Sequence, residues 1–145
     1  MSERRLRTIS VLLILTALVF GVIPPVVDIS ETHVFKPDWP PHARFHMVWL
    51  LGVTSTLAVM VIALVLARGE GREQRLRFAS LLGVAAFSGF VIATLTQSAY
   101  GGALIDPTGG EPLILGTAPQ LVTFTPFIVM QLIAVWLAFS RRGAA

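Results

Sequence analysis

The chain has three histidines, and all of them fall within fourteen residues, in the stretch Asp28-Ile-Ser-Glu-Thr-His-Val-Phe-Lys-Pro-Asp-Trp-Pro-Pro-His-Ala-Arg-Phe-His46. Asp28, Glu31, Asp38 and Arg44 share that stretch. Imidazole and carboxylate held together in a dry pocket can give and take protons near neutrality. Three imidazoles with a carboxylate can instead hold zinc or iron. His42, His46, Glu31, Asp28 and His33 are therefore the candidate catalytic residues, and His33, His42 and His46 the candidate metal ligands. The string His42-x-x-x-His46 puts two rings on one helical face. It has no glutamate between them, so it lacks the base of a zinc peptidase. Arg44 stands two residues from each histidine, on another face, and suits a lipid phosphate, a substrate anion or an ion pair with Asp38. Trp39, Trp49, Gln97 and Tyr100 complete the candidate substrate-binding set. Metal binding, metal-free acid–base work and a purely structural role in capping helices and bridging loops all remain open on these residues.

Local chain chemistry says how such groups can meet. Pro40 pushes Trp39 out of helical geometry and Pro41 does the same to Pro40, so a helix is expected to begin at Pro41, where a missing N–H costs least. His42 then lies in its first turn and His46 one turn further on. Asp38 is placed to cap that helix. Glu31 and His33 are two apart in what reads as extended chain before Pro37, and so point one way. Folding that strand over the helix start would gather His33, His42, His46 and a carboxylate.

The elements that must carry this site are apolar helices. Of 145 residues, 54% are hydrophobic and only 13% charged, and mean hydropathy is +0.77, which is too greasy for a soluble domain. There is no cysteine, which excludes disulfides, thiolate metal sites and cysteine nucleophiles. Four runs, 8–27, 45–67, 76–98 and 121–139, approach or exceed the roughly 20 residues that cross about 30 Å of hydrocarbon. Their interiors hold no Asp, Glu, Lys or Arg. A bilayer leaves each only the helix as a way to satisfy its backbone. The fold class expected is all-α, an integral membrane four-helix bundle formed by residues 1–145 as a single domain. The first run follows Arg4, Arg5 and Arg7 but is long and lacks a small-x-small cleavage site, so it reads as an uncleaved span rather than a signal peptide.

Charge sets the expected orientation. The N-terminus carries three arginines, the connection 68–77 four and the C-terminus Arg141 and Arg142, against Lys36 and Arg44 on the other side. Basic residues collect on the cytoplasmic side, so both termini are expected there, with the histidine-rich loop extracytoplasmic in the plasma (inner) membrane. The net charge of +3 and pI near 10.6 arise from these flanks, so nucleic acid is not an expected partner. Trp39, Trp49, Tyr100 and Trp136 fall near the expected interfaces. Within the spans, Gln97 and Gln131 stand out, because an amide there needs a partner or a ligand. Gly83, Gly89, Ala85 and Ala86 allow close helix packing. Pro126 is expected to kink the fourth helix. The connection from Tyr100 to Gln120 holds Pro107, Gly109, Gly110, Pro112 and Pro119, and reads as a lid or a tether. A pocket opening outward between the helices is the arrangement expected.

The string from Glu31 to His46 resembles that of a family of small, uncharacterised four-span membrane proteins, which share the Thr-His, the Pro-x-Trp and the Pro-His-Ala-Arg-Phe-His segment. That resemblance covers about sixteen residues and the four-span layout, and implies no activity. A weaker similarity is to the sterol-isomerase and sigma-2-receptor-like superfamily, whose helical bundles bind sterols and use a histidine with carboxylates. That pattern has an acidic residue one turn after its histidine, where this chain has His46. The function expected is binding or transforming an apolar molecule (an isoprenoid, sterol-like compound or lipid) by acid–base or metal-assisted chemistry, with membrane lipids and an apolar small molecule as partners. The alternative is a non-catalytic accessory or lipid-binding subunit of a membrane complex. A channel from so short a chain would require a homo-oligomer to enclose its path, and no span carries a mid-membrane charge.

Overall fold

A computed structural model describes residues 1–105 and 113–140. Pro107, Gly109, Gly110, Pro112, Arg141 and Arg142 lie outside the described residues. The described chain is all-helical with no strand: α1 (Glu3–Asp28), α2 (Pro41–Leu66), α3 (Arg72–Thr96), a single 3-10 turn (Gln97–Ala99) and α4 (Pro119–Phe139). All four long helices are long and apolar enough to cross a membrane. At about 1.5 Å per residue, the 26 residues of α1 extend about 39 Å and the 21 of α4 about 32 Å, at least the hydrocarbon thickness. By length and composition these helices suggest an integral membrane protein.

The helix starts follow proline chemistry. Pro41 opens α2 and Pro119 opens α4, each in the first turn, where no N–H is required. Ser2 caps α1, its Oγ accepting from the Arg5 N–H. Asp38 does not cap α2: the cap position is Pro40, with no side-chain hydrogen bond.

Packing follows a three-four spacing. Leu6, Ile9, Leu13, Ala17 and Phe20 of α1 form a buried stripe, against which Ala58, Val61 and Val65 of α2, Leu76, Ala79 and Phe87 of α3, and Ala134 and Ala138 of α4 close. That repeat is the one that keeps a single seam facing neighbouring helices. α1 touches the other three helices, α3 also packs on α2 and α4, and α2 and α4 do not touch. Small residues set the separations. A methyl at Gly21 would overlap Ala58 Cβ, and one at Gly83 would lie 2.5 Å from Gln131 Nε2. Gly89 is different, because a Cβ there meets nothing within 4 Å. It does not serve packing inside the bundle, as its place in the third span had suggested.

Two proline-bearing helices lose backbone bonds, and one replacement is visible. Pro25 has no N–H for the Gly21 carbonyl, and Ser55 Oγ of α2 donates to that carbonyl at 2.9 Å. Deeper in the bundle, Thr16, Ser80 and Gln131 are buried polar residues. Thr16 Oγ1 donates to Gln131 Oε1 at 2.9 Å, and Gln131 Nε2 donates to the Ser80 carbonyl at 2.7 Å. The amide expected to need a partner or a ligand is thus satisfied by α1 and α3.

Polar contacts also fix the ends. The N-terminal ammonium pairs with Glu73 and Arg72 Nη1 with Glu3 at 3.0 Å, which brings the starts of α1 and α3 together. Arg5 Nε donates to the Leu137 carbonyl at 2.6 Å and Arg77 Nε to the Ala138 carbonyl at 3.0 Å, so two arginines cap the last turn of α4. The starts of α1 and α3 and the end of α4 therefore share one basic end of the bundle. The histidines lie at the other.

Candidate functional site

The start of α2 makes the site. With the helix beginning at Pro41, His42 and His46 fall one turn apart on one face, as the spacing requires. Their Nε2 atoms are 3.0 Å apart and their rings stand edge to face, with centroids at 4.4 Å. Both residues are exposed on the protein surface. Phe45 stacks on His42 at an interplanar angle of 12°, and Trp49 on His46 at 22°. Phe45 and Trp49 are exposed large hydrophobics, 62% and 59% accessible, so the imidazole pair is set in an aromatic surface and not in a dry cavity. Phe45 was missed in the sequence, although its place three residues after His42 and four before Trp49 puts it on the same side of the helix.

A second group lies in the α1–α2 connection. His33 Nε2 is 3.8 Å from Asp28 Oδ1, both side chains being mostly enclosed, and Thr32 Oγ1 meets His33 Nδ1 at 2.9 Å. Trp39 stands edge-on to the His33 ring at 6.2 Å. The segment is a run of turns, not the extended strand expected: His33 and Phe35 both donate backbone N–H to the Ser30 carbonyl, and Val34 to that of Asp28. Val34, buried at 6% exposure, anchors the turn. Glu31, on its outside, is exposed.

The structure thus gathers the predicted residues as two pairs, His42 with His46 and Asp28 with His33. Among the described residues no three or more His, Asp or Glu side chains are close enough together to hold a metal ion. The expected convergence of His33, His42, His46 and a carboxylate is corrected accordingly, because the turn at 29–35 keeps His33 on Asp28 at the end of α1. Arg44 is likewise corrected: it does not pair with Asp38 but donates through Nη2 to the carbonyls of Lys36 at 2.7 Å and Pro37 at 3.1 Å, tying the connection to α2.

Gln97 begins the turn after α3, where its carbonyl accepts from the Gly102 N–H at 2.7 Å. Tyr100 folds back along α3, its hydroxyl donating to the Ala93 carbonyl at 2.9 Å. The ring lies against Gly102, which leaves no room for a Cβ. In the described part of the third connection, Ile114 and Thr117 exchange backbone hydrogen bonds at 3.0 Å around Leu115 and Gly116, both at positive φ. Two open surface grooves among the described residues lie elsewhere, on α1 near Arg4 and Arg7, and between α2 and α3 near Met60 and Phe78. Neither is the outward-opening pocket expected at the histidine end.

Residues 12–144 match a family of unknown function, DUF6640, which spans all four helices and the histidine-bearing connection. The chain belongs to the DUF6640 family. No curated protein and no solved structure gives a match. The DUF6640 match fits the resemblance to an uncharacterised family drawn from the string at Glu31 to His46, and similarity to the sterol-isomerase superfamily is not shown.

Proposed function

We propose that this protein binds an apolar molecule of the isoprenoid, sterol-like or lipid class at the outer boundary of its membrane, and that the His42–His46 pair moves a proton on it. The observation that carries this reading is the 3.0 Å separation of the two Nε2 atoms within an exposed aromatic surface. A hydrogen bond between imidazoles needs one Nε2–H and one bare Nε2. The pair therefore presents an acid and a base on one helical face. Phe45 and Trp49 offer flat apolar contact beside it, suited to a molecule arriving from the bilayer. The basic end formed by Arg4, Arg5, Arg7, Arg72, Arg75 and Arg77 supports cytoplasmic termini in the plasma (inner) membrane, which puts the histidines outside.

The metal-assisted form of this reading uses the same atoms. Zinc binds imidazole nitrogen at about 2.0–2.1 Å, so two Nε2 atoms about 3.0–3.4 Å apart can share one ion, with water completing its shell. The test is extraction and mass spectrometry of apolar molecules retained by the detergent-purified protein, beside a His42→Ala/His46→Ala variant, with elemental analysis of both. Loss of a retained species in the folded variant is the expected result. Equal retention overturns the reading. Stoichiometric zinc or iron confined to the wild type selects the metal-assisted form.

A second reading, a non-catalytic accessory subunit, draws on Gly52 and Gly89. A Cβ at either meets nothing within 4 Å, so both positions stay open to a partner helix. It predicts a membrane complex that Gly89→Leu disrupts and that His42→Gln with His46→Gln leaves intact.

A further inference from the structure

We propose that α1 carries an anionic-phospholipid site at the basic end of the bundle, in which Arg4 and Arg7 bind the headgroup phosphate while the acyl chain follows the exposed apolar stripe of the same helix. A groove there is lined by Glu3, Arg4, Arg7, Thr8, Val11 and Leu12, so two guanidinium groups stand directly above an apolar wall. Most other described arginines at this end are engaged, and Arg68, which likewise makes no side-chain hydrogen bond or ion pair among the described residues, lies outside the groove. Arg5 and Arg77 cap α4, Arg72 holds Glu3, and Arg75 donates to the carbonyls of Ala67 at 2.9 Å, Gly69 at 3.2 Å and Glu70. Arg4 makes no side-chain hydrogen bond or ion pair among the described residues. Arg7 reaches only Glu3, at 3.9 Å and 79% exposed, and that carboxylate already accepts from Arg72 at 3.0 Å. The groove consequently keeps an excess of positive charge with donors unused.

Thr8 is not a competing ligand, since its hydroxyl donates to the Arg4 carbonyl at 3.0 Å. Beyond it, Val11, Leu15, Leu18 and Val22 are exposed at the helical spacing that continues the Arg4–Arg7 face. From Val11 to Val22 is about 16 Å along the axis, one leaflet of a hydrocarbon core of about 30 Å. Charge above and a chain-length apolar stripe below match a phospholipid that carries net negative charge, and a zwitterionic lipid offers the same stripe a weaker headgroup. The site rests on α1 spanning the membrane and is independent of the histidine pair.

The experiment compares binding of dioleoylphosphatidylglycerol and dioleoylphosphatidylcholine to the detergent-purified full chain by native mass spectrometry. Parallel samples carry Arg4→Gln/Arg7→Gln and, as a control, Arg68→Gln, an exposed arginine outside the groove. The wild type is expected to prefer phosphatidylglycerol about tenfold or more, given roughly a factor of five for each basic residue near an anionic headgroup. The double variant should lose that preference and keep its helicity by circular dichroism, while Arg68→Gln should retain it. A preference that survives in the double variant overturns the proposal, as does an equal loss in Arg68→Gln, which would mean diffuse attraction. Displacement of phosphatidylglycerol by millimolar inorganic phosphate would assign the arginines to free phosphate and also overturn it. A single Arg4→Gln variant with an intermediate preference adds support.

Discussion

His42 and His46 hold their Nε2 atoms 3.0 Å apart on one face of α2, a bond that lasts only while one of those nitrogens keeps a lone pair. Histidine ¹⁵N spectra of the micelle-bound protein should therefore show one ring protonated and the other bare at Nε2. Two rings both protonated at Nε2 would refute the bond. Because the pair is on the surface, His46→Gln is expected to change stability by no more than about 0.5 kcal/mol.

The geometry of that pair was legible because proline fixes a helix start with few alternatives and a four-residue spacing does the rest. The four helices were legible for an equally simple reason, since uncharged runs of this length have one way to satisfy their backbone in lipid. His33 was not legible. Its position depends on the Val34 N–H reaching the Asp28 carbonyl, a backbone choice that overrode the extended reading of the residues before Pro37. Arg44 escaped for a related reason: its acceptors are the carbonyls of Lys36 and Pro37, which no side-chain letter announces. Gln131 was visible as an amide in need, but Thr16 and Ser80 as its partners required the register of three helices at once.

Gly83 and Gln131 should behave as one unit. A Cβ at Gly83 would stand 2.5 Å from the amide Nε2 and 2.6 Å from Cδ, so Gly83→Ala is expected to destabilise by about 1–3 kcal/mol through overpacking. Gln131→Ala removes the donor to Ser80 and the acceptor for Thr16, at a cost of about 1–3 kcal/mol. The double variant replaces the amide by the new methyl and should cost clearly less than the two changes added together. Unfolding in mixed micelles, run as a double-mutant cycle, measures this. Strict additivity would show that the two positions are not in contact.

Ser55 replaces a backbone donor that Pro25 cannot supply. Ser55→Ala is expected to cost about 0.6–1.7 kcal/mol, the range for a hydrogen bond between membrane helices. In a Pro25→Ala background the restored N–H can reach the Gly21 carbonyl, and the same serine change should then cost less. An equal cost in both backgrounds would mean that Ser55 acts through packing alone.

Arg5 ties α1 to the end of α4 through several donors, Nε to the Leu137 carbonyl at 2.6 Å and Nη2 to Ser140 Oγ at 2.7 Å among them. A lysine keeps the charge but has no planar fork with which to serve both acceptors. Arg5→Lys is therefore expected to destabilise by about 1 kcal/mol and Arg5→Gln by about 1.5–3 kcal/mol, the usual range for hydrogen bonds from a charged group. The loss should be local. Amide exchange in the last turn of α4 should rise in both variants, while Leu13 and Val61, buried deep in the bundle, keep their protection. Uniform loss of protection across all four helices would assign Arg5 to global stability instead of the α4 terminus.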